Sequence, residues 1–234
     1  MSAGADAARR ALAGSLVSGL AHDLNGRLGA LLGVAHLARS STPMDEELLG
    51  VLDEQIRRLR ESVGLLRTVP LAEARHAPRA MRLADAVANA VRLYRCRSGP
   101  DLATLQVVAE AEGESPVVRI APAAFTEALL LAIAAAEKST EGGTCLVRVR
   151  HGGDSSSGRI LIERCGPGPG QGDAILGGAD ETVVLQAAED RIEAGGGHLV
   201  RRQDGIIEIV VPVYAGAWAT AGMVMEGAGG WPGV

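Results

Sequence analysis

A leucine repeat governs what the first third of this chain can become. Leu12, Leu16, Leu20, Leu24, Leu28, Leu31 and Ala35 recur at three- and four-residue intervals. That spacing predicts an amphipathic helix over residues 6–40. The stretch "SSTPMDEE" interrupts it and opens a second helix. Thr42 can cap, Pro43 suits the first turn, and Asp45, Glu46 and Glu47 complement the helix dipole. The second helix carries Leu49, Leu52, Ile56, Leu59, Val63 and Leu66, the alternating three-four spacing of a coiled-coil seam. It ends near Thr68, before Pro70. A hairpin of two such helices cannot bury its own apolar face. A second copy would complete a four-helix bundle, so a homodimer is expected. The alternative is a hairpin folded back on the rest of its own chain.

Residues 69–80, "VPLAEARHAPRA", read as a linker. Beyond it the pattern changes. "MRLADAVANAVRLYR" reads as a helix, and "TLQVVAEAE" and "VVRI" read as strands. "APAAFTEALLLAIAAAEK" is a helix with Pro122 near its start. "CLVRVRH" and "GRILIER" alternate as a hairpin around "GGDSSS". "ETVVLQAAEDRIEAGG" is a helix ending in glycines. "HLVRRQDGIIEIVVPV" closes the domain as a hairpin turning at Asp204-Gly205. The mixture predicts an α+β chain: a helical hairpin over 1–68, then an α/β sandwich over 81–214. Residues 215–234 show no period and read as a flexible tail. The alternative there is a docking segment built on Trp218, Met223, Met225 and Trp231.

Composition removes several function classes. The chain has 234 residues, 47% of them hydrophobic, which marks a folding chain. Aromatics are only 2% and the formal net charge is -5. Both argue against base stacking and phosphate-backbone binding, so no nucleic-acid partner is expected. Cys96, Cys145 and Cys165 are odd in number and lack CxxC spacing. Neither a disulfide framework nor a zinc site follows, and the thiols suit a reducing cytosol. The N-terminal stretch shows no secretory apolar segment, and no apolar run reaches ~18 residues. A cytoplasmic protein without a membrane partner is expected.

The stretch "SGLAHDLNGRLGALLG" places His22 directly before Asp23 inside the first helix. At ~100° per residue, His22 lies about 200° from Leu20, on the solvent side. Its neighbours there are Ser15, Ser18, Gly19, Gly26, Gly29 and Gly33. Glycine costs a helix about 1 kcal/mol per site relative to alanine. A cluster of glycines around one histidine therefore reads as a surface kept clear for another protein. The plain alternative is an Ala/Gly-rich composition, with 31 glycines in all. A free imidazole titrates at about 6.5, so it is largely neutral and nucleophilic at neutral pH. Asp23 can orient the ring or accept its proton. His36 lies on a similar side but lacks an adjacent carboxylate, and His76, His151 and His198 show no metal-ligand spacing.

These residues resemble a known family. "LVSGLAHDLNGRLGALLG" resembles the H-box of two-component histidine kinases, on the first helix of a dimeric four-helix bundle. The resemblance runs to about residue 68 and continues, with larger departures, through an ATPase-like domain to about residue 213. It implies that His22 accepts the phosphoryl group and that Asp23 is its acidic neighbour. Arg27 stands where many members have Pro, and Gly26 stands at the position many members use for phosphatase chemistry. "FTEALLLAIAAAEKST" resembles the N-box helix: Lys138 and Thr140 match. Ala135 replaces the Asn that binds the Mg²⁺ of MgATP, and Leu131 replaces the other Asn. "IERCGPGPG" resembles the D-x-G-x-G region through Gly166, Pro167 and Gly168, with Arg164 in place of the Asp that meets adenine. "ETVVLQAAEDRIEAGGG" resembles the glycine-rich box, with Thr182, Val183 and Val184 in place of G-L-G.

The chemistry of those replacements points one way. Alanine offers no oxygen to Mg²⁺. Arginine offers no acceptor to the adenine amino group. Valine hinders phosphate approach to backbone N–H groups. No nucleotide and no metal of its own are therefore expected. The chain resembles a histidine phosphotransferase of the ChpT type, a degenerate histidine kinase. That resemblance implies a homodimer in a phosphorelay, fed by an upstream hybrid histidine kinase and acting between response-regulator receiver domains. The receiver would supply the Mg²⁺. Two alternatives stand beside it: an ATP-dependent histidine kinase with a divergent nucleotide site, and a non-catalytic module that binds a response regulator. The related anti-sigma protein kinases lack a phospho-accepting hairpin, so the first 68 residues argue against them.

Overall fold

The computed structural model describes residues 3–40, 46–66, 69, 77–96, 106–111, 114–138, 144–151, 156–165 and 180–214. Helix α1 (Ala3–Ser40) and helix α2 (Glu46–Leu66) form the hairpin. Thr42, Pro43 and Asp45, expected to start α2, lie outside the described residues; Glu46 and Glu47 do occupy its first turn. After the hairpin come β1 (Arg79–Arg82), α3 (Leu83–Cys96), β2 (Gln106–Ala111), β3 (Val117–Ile120) and α4 (Pro122–Lys138). Then follow β4 (Thr144–His151), β5 (Ser157–Cys165), α5 (Glu181–Glu193), β6 (His198–Arg201) and β7 (Ile207–Pro212).

The strands make a five-stranded sheet in the order β2-β4-β5-β7-β6. β2 runs parallel to β4, and the other neighbours are antiparallel. A small sheet of β1 and β3 touches the large one through a bridge between Val118 and Val213. Strand residues alternate between two environments, as the pleat requires. Val147, Val149, Ile160, Ile162, Ile207 and Ile209 are buried with α3, α4 and α5 in one core. The opposite row carries ion pairs: Arg148 to Glu163 at 2.9 Å, and Arg159 to Glu208 at 3.1 Å. Glu208 is 7% exposed, and a second guanidinium, that of Arg202, compensates its burial at 2.8 Å. α4 is the innermost helix, with Ala128 to Ala136 all buried. A helix apolar on every side is stable only in such a position.

Local chemistry sets several boundaries. Asp180 caps α5, its carboxylate accepting the Thr182 N–H at 2.8 Å. The closing hairpin turns at Asp204-Gly205, where Gly205 takes φ +82. One stretch departs from the sequence reading. Arg79–Arg82 forms β1, although residues 79–80 read as linker and Met81–Arg82 read as helix. The four residues gain backbone partners from Val117–Ile120, far along the chain. α3 then starts at Leu83 because the Ser115 hydroxyl accepts the Ala84 N–H at 2.8 Å. Val69, also read as linker, is buried in the core.

The hairpin is partly folded back on the sandwich. Ala5, Ala8, Leu12, Leu16 and Leu20 share the core of α3, α4 and α5. Glu127 of α4 holds Arg9 of α1 at 3.1 Å and Arg191 of α5 at 3.0 Å. The lower part of the predicted stripe behaves differently: Leu28 is 47% exposed, Ala35 is exposed, and Leu24 and Leu31 are half-buried. The helical wheel explains why. With Leu20 at zero, Ala5, Ala8, Leu12, Leu16 and Val34 centre at about 290°, whereas Val17, Leu28 and Leu32 centre at about 85°. α1 has two apolar faces, and the described residues cover one. Leu49 and Val63 of α2 are likewise exposed.

Packing around β5 is tight enough to test. A Cβ on Gly158 would lie 2.7 Å from Leu83 Cδ2 and 2.9 Å from Pro116 Cγ. Gly158→Val should cost about 1–3 kcal/mol through overpacking. Gly64→Ala, where a Cβ meets nothing within 4 Å, should be neutral or slightly stabilising. Chemical denaturation of both variants checks this, and equal stabilities would contradict the packing described.

Candidate functional site

Consecutive residues of a helix point about 100° apart, and α1 uses that step to separate His22 from Asp23. His22 is exposed, and its imidazole makes no hydrogen bond among the described residues. Asp23 is half-buried and faces α2. Its Oδ2 accepts from Arg27 Nε at 2.8 Å and from Ser62 Oγ at 2.7 Å. Ser62 is 2% exposed. Its hydroxyl also lies 3.1 Å from the Arg58 carbonyl oxygen, but it has one proton, and the shorter charge-assisted bond to Asp23 is the stronger.

Asp23 was expected to orient the imidazole or take its proton. In the structure its Oδ2 engages Arg27 and Ser62, as a clasp between α1 and α2. Burial alone would push this carboxyl up. The hydrogen bonds from Arg27 and Ser62, with the charges of Arg27 and His22, outweigh that and hold it below the usual carboxylate range. The Cys96 thiol stands near this cluster at the end of α3. Burial and the Asp23 charge push it up, against the pull of Arg27, which disfavours the reactive thiolate.

The surface around His22 is sparsely covered. Ser18, Gly26, Gly29 and Gly33 are exposed, and Ser15 is half-buried. A Cβ on Gly26, Gly29 or Gly33 would meet nothing within 4 Å. Gly19 departs from the expectation, because it is buried. It lies one turn before Asp23, on the side of α1 that meets α2. It therefore belongs to the packed face and not to the open one. His36 and His198 are exposed, away from any metal-ligand group. Among the described residues no three His, Cys, Asp or Glu side chains could hold a metal ion. No helix among them is long and apolar enough to cross a membrane. His76, Thr140, the Gly166-Pro167-Gly168 turn and residues 215–234 lie outside the described residues.

The positions compared with a nucleotide site are occupied by packing. Leu131 and Ala135 are each 0% exposed inside α4. Arg164 stands in β5 opposite Cys145. Thr182, Val183 and Val184 form the first turn of α5, with Val184 fully buried and Val183 packed against the core. The N–H of Thr182 is taken by the Asp180 carboxylate, so a negative charge already sits at the end of α5 where phosphate oxygens would bind.

Sequence reasoning missed Ser62. Its one signal was a polar residue set among the apolar positions of α2. The Asp23–Arg27 pair was legible from its four-residue spacing.

No protein-family model matches the chain, and no curated protein matches it. Among solved structures it is similar to the Acinetobacter baumannii histidine kinase AdeS, at 21% identity over 82% of this chain and 98% of that one, with a TM-score of 0.45. A histidine kinase from Burkholderia phymatum is 10% identical over 84% of this chain and 98% of that one, TM-score 0.47. A structure described as a bacterial phosphotransferase is 16% identical over 90% of this chain and 97% of that one, TM-score 0.41. At these levels the likenesses assign no residue a role.

The clasp has a pH signature. Because the Asp23 pKa is lowered in the fold, its contribution is complete above the ordinary carboxylate value. It is lost as pH falls through the lowered native value. Ser62→Ala should cost about 1–2 kcal/mol at neutral pH, and the gap from the wild type should close as the solution is acidified. Denaturation curves at several pH values check this; a gap that stays constant or widens in acid contradicts the clasp.

Proposed function

We propose that this chain is a phosphorelay histidine phosphotransferase that passes a phosphoryl group between receiver-domain aspartates through His22, without using ATP. The observation that carries the reading is the exposure of His22 on a face of α1 kept bare by Ser18, Gly26, Gly29 and Gly33. Such a face admits a whole protein domain, not only a small molecule. The chemistry needs little more from this chain. The lone pair of a neutral ring nitrogen forms a bond to phosphorus as the bond from phosphorus to the donor aspartate breaks, which frees the donor carboxylate. The reverse sequence loads a second receiver. The receiver's acidic pocket would supply the Mg²⁺ that shields the phosphoryl charge. An upstream hybrid histidine kinase is the expected source of the first phospho-receiver.

Two further features support this reading. The places compared with nucleotide ligands hold buried Leu131, Ala135 and Val184, and the start of α5 is capped by Asp180. A nucleotide would have to displace core packing and meet a like charge. The apolar face of Val17, Leu28 and Leu32 lies about 115° from His22 on the wheel. A second copy could cover that face, with Leu49 and Val63 of α2, and leave His22 open; the functional unit is then a homodimer built on a four-helix bundle.

Asp23, Arg27 and Ser62 act at one remove in this scheme. They fix the rotation of α1 against α2, and so the direction in which His22 points. The plain test uses a radiolabelled phospho-receiver and, separately, labelled MgATP. Acid-labile label should pass from receiver to wild type, fail with His22→Ala, and not arrive from MgATP. Label from MgATP would mean an ATP-dependent kinase. Stable binding of receivers without transfer would mean a non-catalytic response-regulator-binding module.

A further inference from the structure

A partly open cavity of ≈ 200 Å³ lies at the end of the sandwich where α4 begins and α5 ends. It is separate from the face of His22 and from the buried positions Leu131 and Val184. Ile120, Phe125, Ile192 and Val211 give it an apolar wall. Two arginines, Arg119 of β3 and Arg191 of α5, also line it. No acidic side chain among the described residues lines it. Cationic groups at the rim of an apolar pocket select for an anion attached to an apolar body.

Both guanidiniums are pre-positioned. Arg119 lies over the Tyr214 ring, its central carbon 5.9 Å from the ring centroid. Arg191 is ion-paired with Glu127 at 3.0 Å, which keeps its guanidinium beside the cavity. Guanidinium forks match the geometry of a carboxylate. The volume falls below the ~300 Å³ at which drug-sized pockets begin, which limits the ligand to a few carbons or one ring.

We propose that this cavity binds a small organic carboxylate, its apolar body against Phe125 and Ile192 and its charge on Arg119 and Arg191. This proposal stands independently of the phosphotransfer reading. Arg191 belongs both to the cavity and to the Arg9–Glu127–Arg191 chain of charges that seats α1 on the sandwich.

Benzoate is the probe, followed by amide NMR shifts on the full chain, with benzyl alcohol as its neutral counterpart. Benzoate should bind saturably and shift Ala124 and Gly195. Benzyl alcohol should bind about tenfold more weakly or less, as should benzoate to Arg119→Gln, since a charged hydrogen bond is lost. Arg191→Gln should weaken binding similarly; because it also takes one of Glu127's two arginine partners, Arg119→Gln, which leaves both ion pairs intact, is the decisive variant. Ala124→Phe should fill the cavity and abolish binding. Absence of saturable shifts, equal affinity for the alcohol, or unchanged affinity in Arg119→Gln would each overturn the proposal.

Discussion

One helix presents three different sides, and the ~100° step between its residues is what separates them. α1 turns Ala8, Leu12, Leu16 and Leu20 toward its own sandwich and α2. It turns Val17, Leu28 and Leu32 to a second apolar side that the other described residues leave exposed. It turns His22, with its glycines, to a third. The three directions are spaced roughly evenly around the wheel. Rotation of α1 by one residue position would exchange them, bury the imidazole and expose the leucines. The clasp of Asp23 with Arg27 and Ser62 resists that rotation, because it joins α1 to a buried hydroxyl of α2. Glu127 does the same work at the other end, between Arg9 and Arg191.

The sandwich shows what a core of this composition can and cannot do. α4 is apolar on all sides from Ala128 to Ala136 and lies at the centre of the packing, with Leu131 and Ala135 fully enclosed. Those side chains strengthen burial, and being hydrocarbon they carry no oxygen that a cation could use. The polar chemistry of the domain is displaced to its edges. It appears in the ion pairs of the open sheet face, and in the arginines beside the cavity at the start of α4. The same domain positions α1, whose Ala5, Ala8, Leu12, Leu16 and Leu20 share its core.

Local periodicity made most of the fold legible. The hairpin helices, the β4–β5 pair and the turn at Asp204-Gly205 all follow from residues close together in sequence. What was not legible depends on partners distant in the chain. β1 exists because Val117–Ile120 lies beside it, and α3 begins at Leu83 because Ser115 reaches its first turn. At the site, the outward direction of His22 could be read from the wheel. The inward engagement of Asp23 could not, because Ser62 is 39 residues away. Gly19 misled for a related reason: at the border between two faces, the wheel does not say which neighbour covers a residue.

In the proposed relay, His22, set on a bare face of α1, carries the phosphoryl group. Mass spectrometry at neutral pH, on chain exposed to a phospho-receiver, locates that group directly. The expected result is a phosphorylated peptide whose fragments place the modification on His22 and not on His36, although both are exposed. Phosphate on His36, or on no histidine at all, would contradict it.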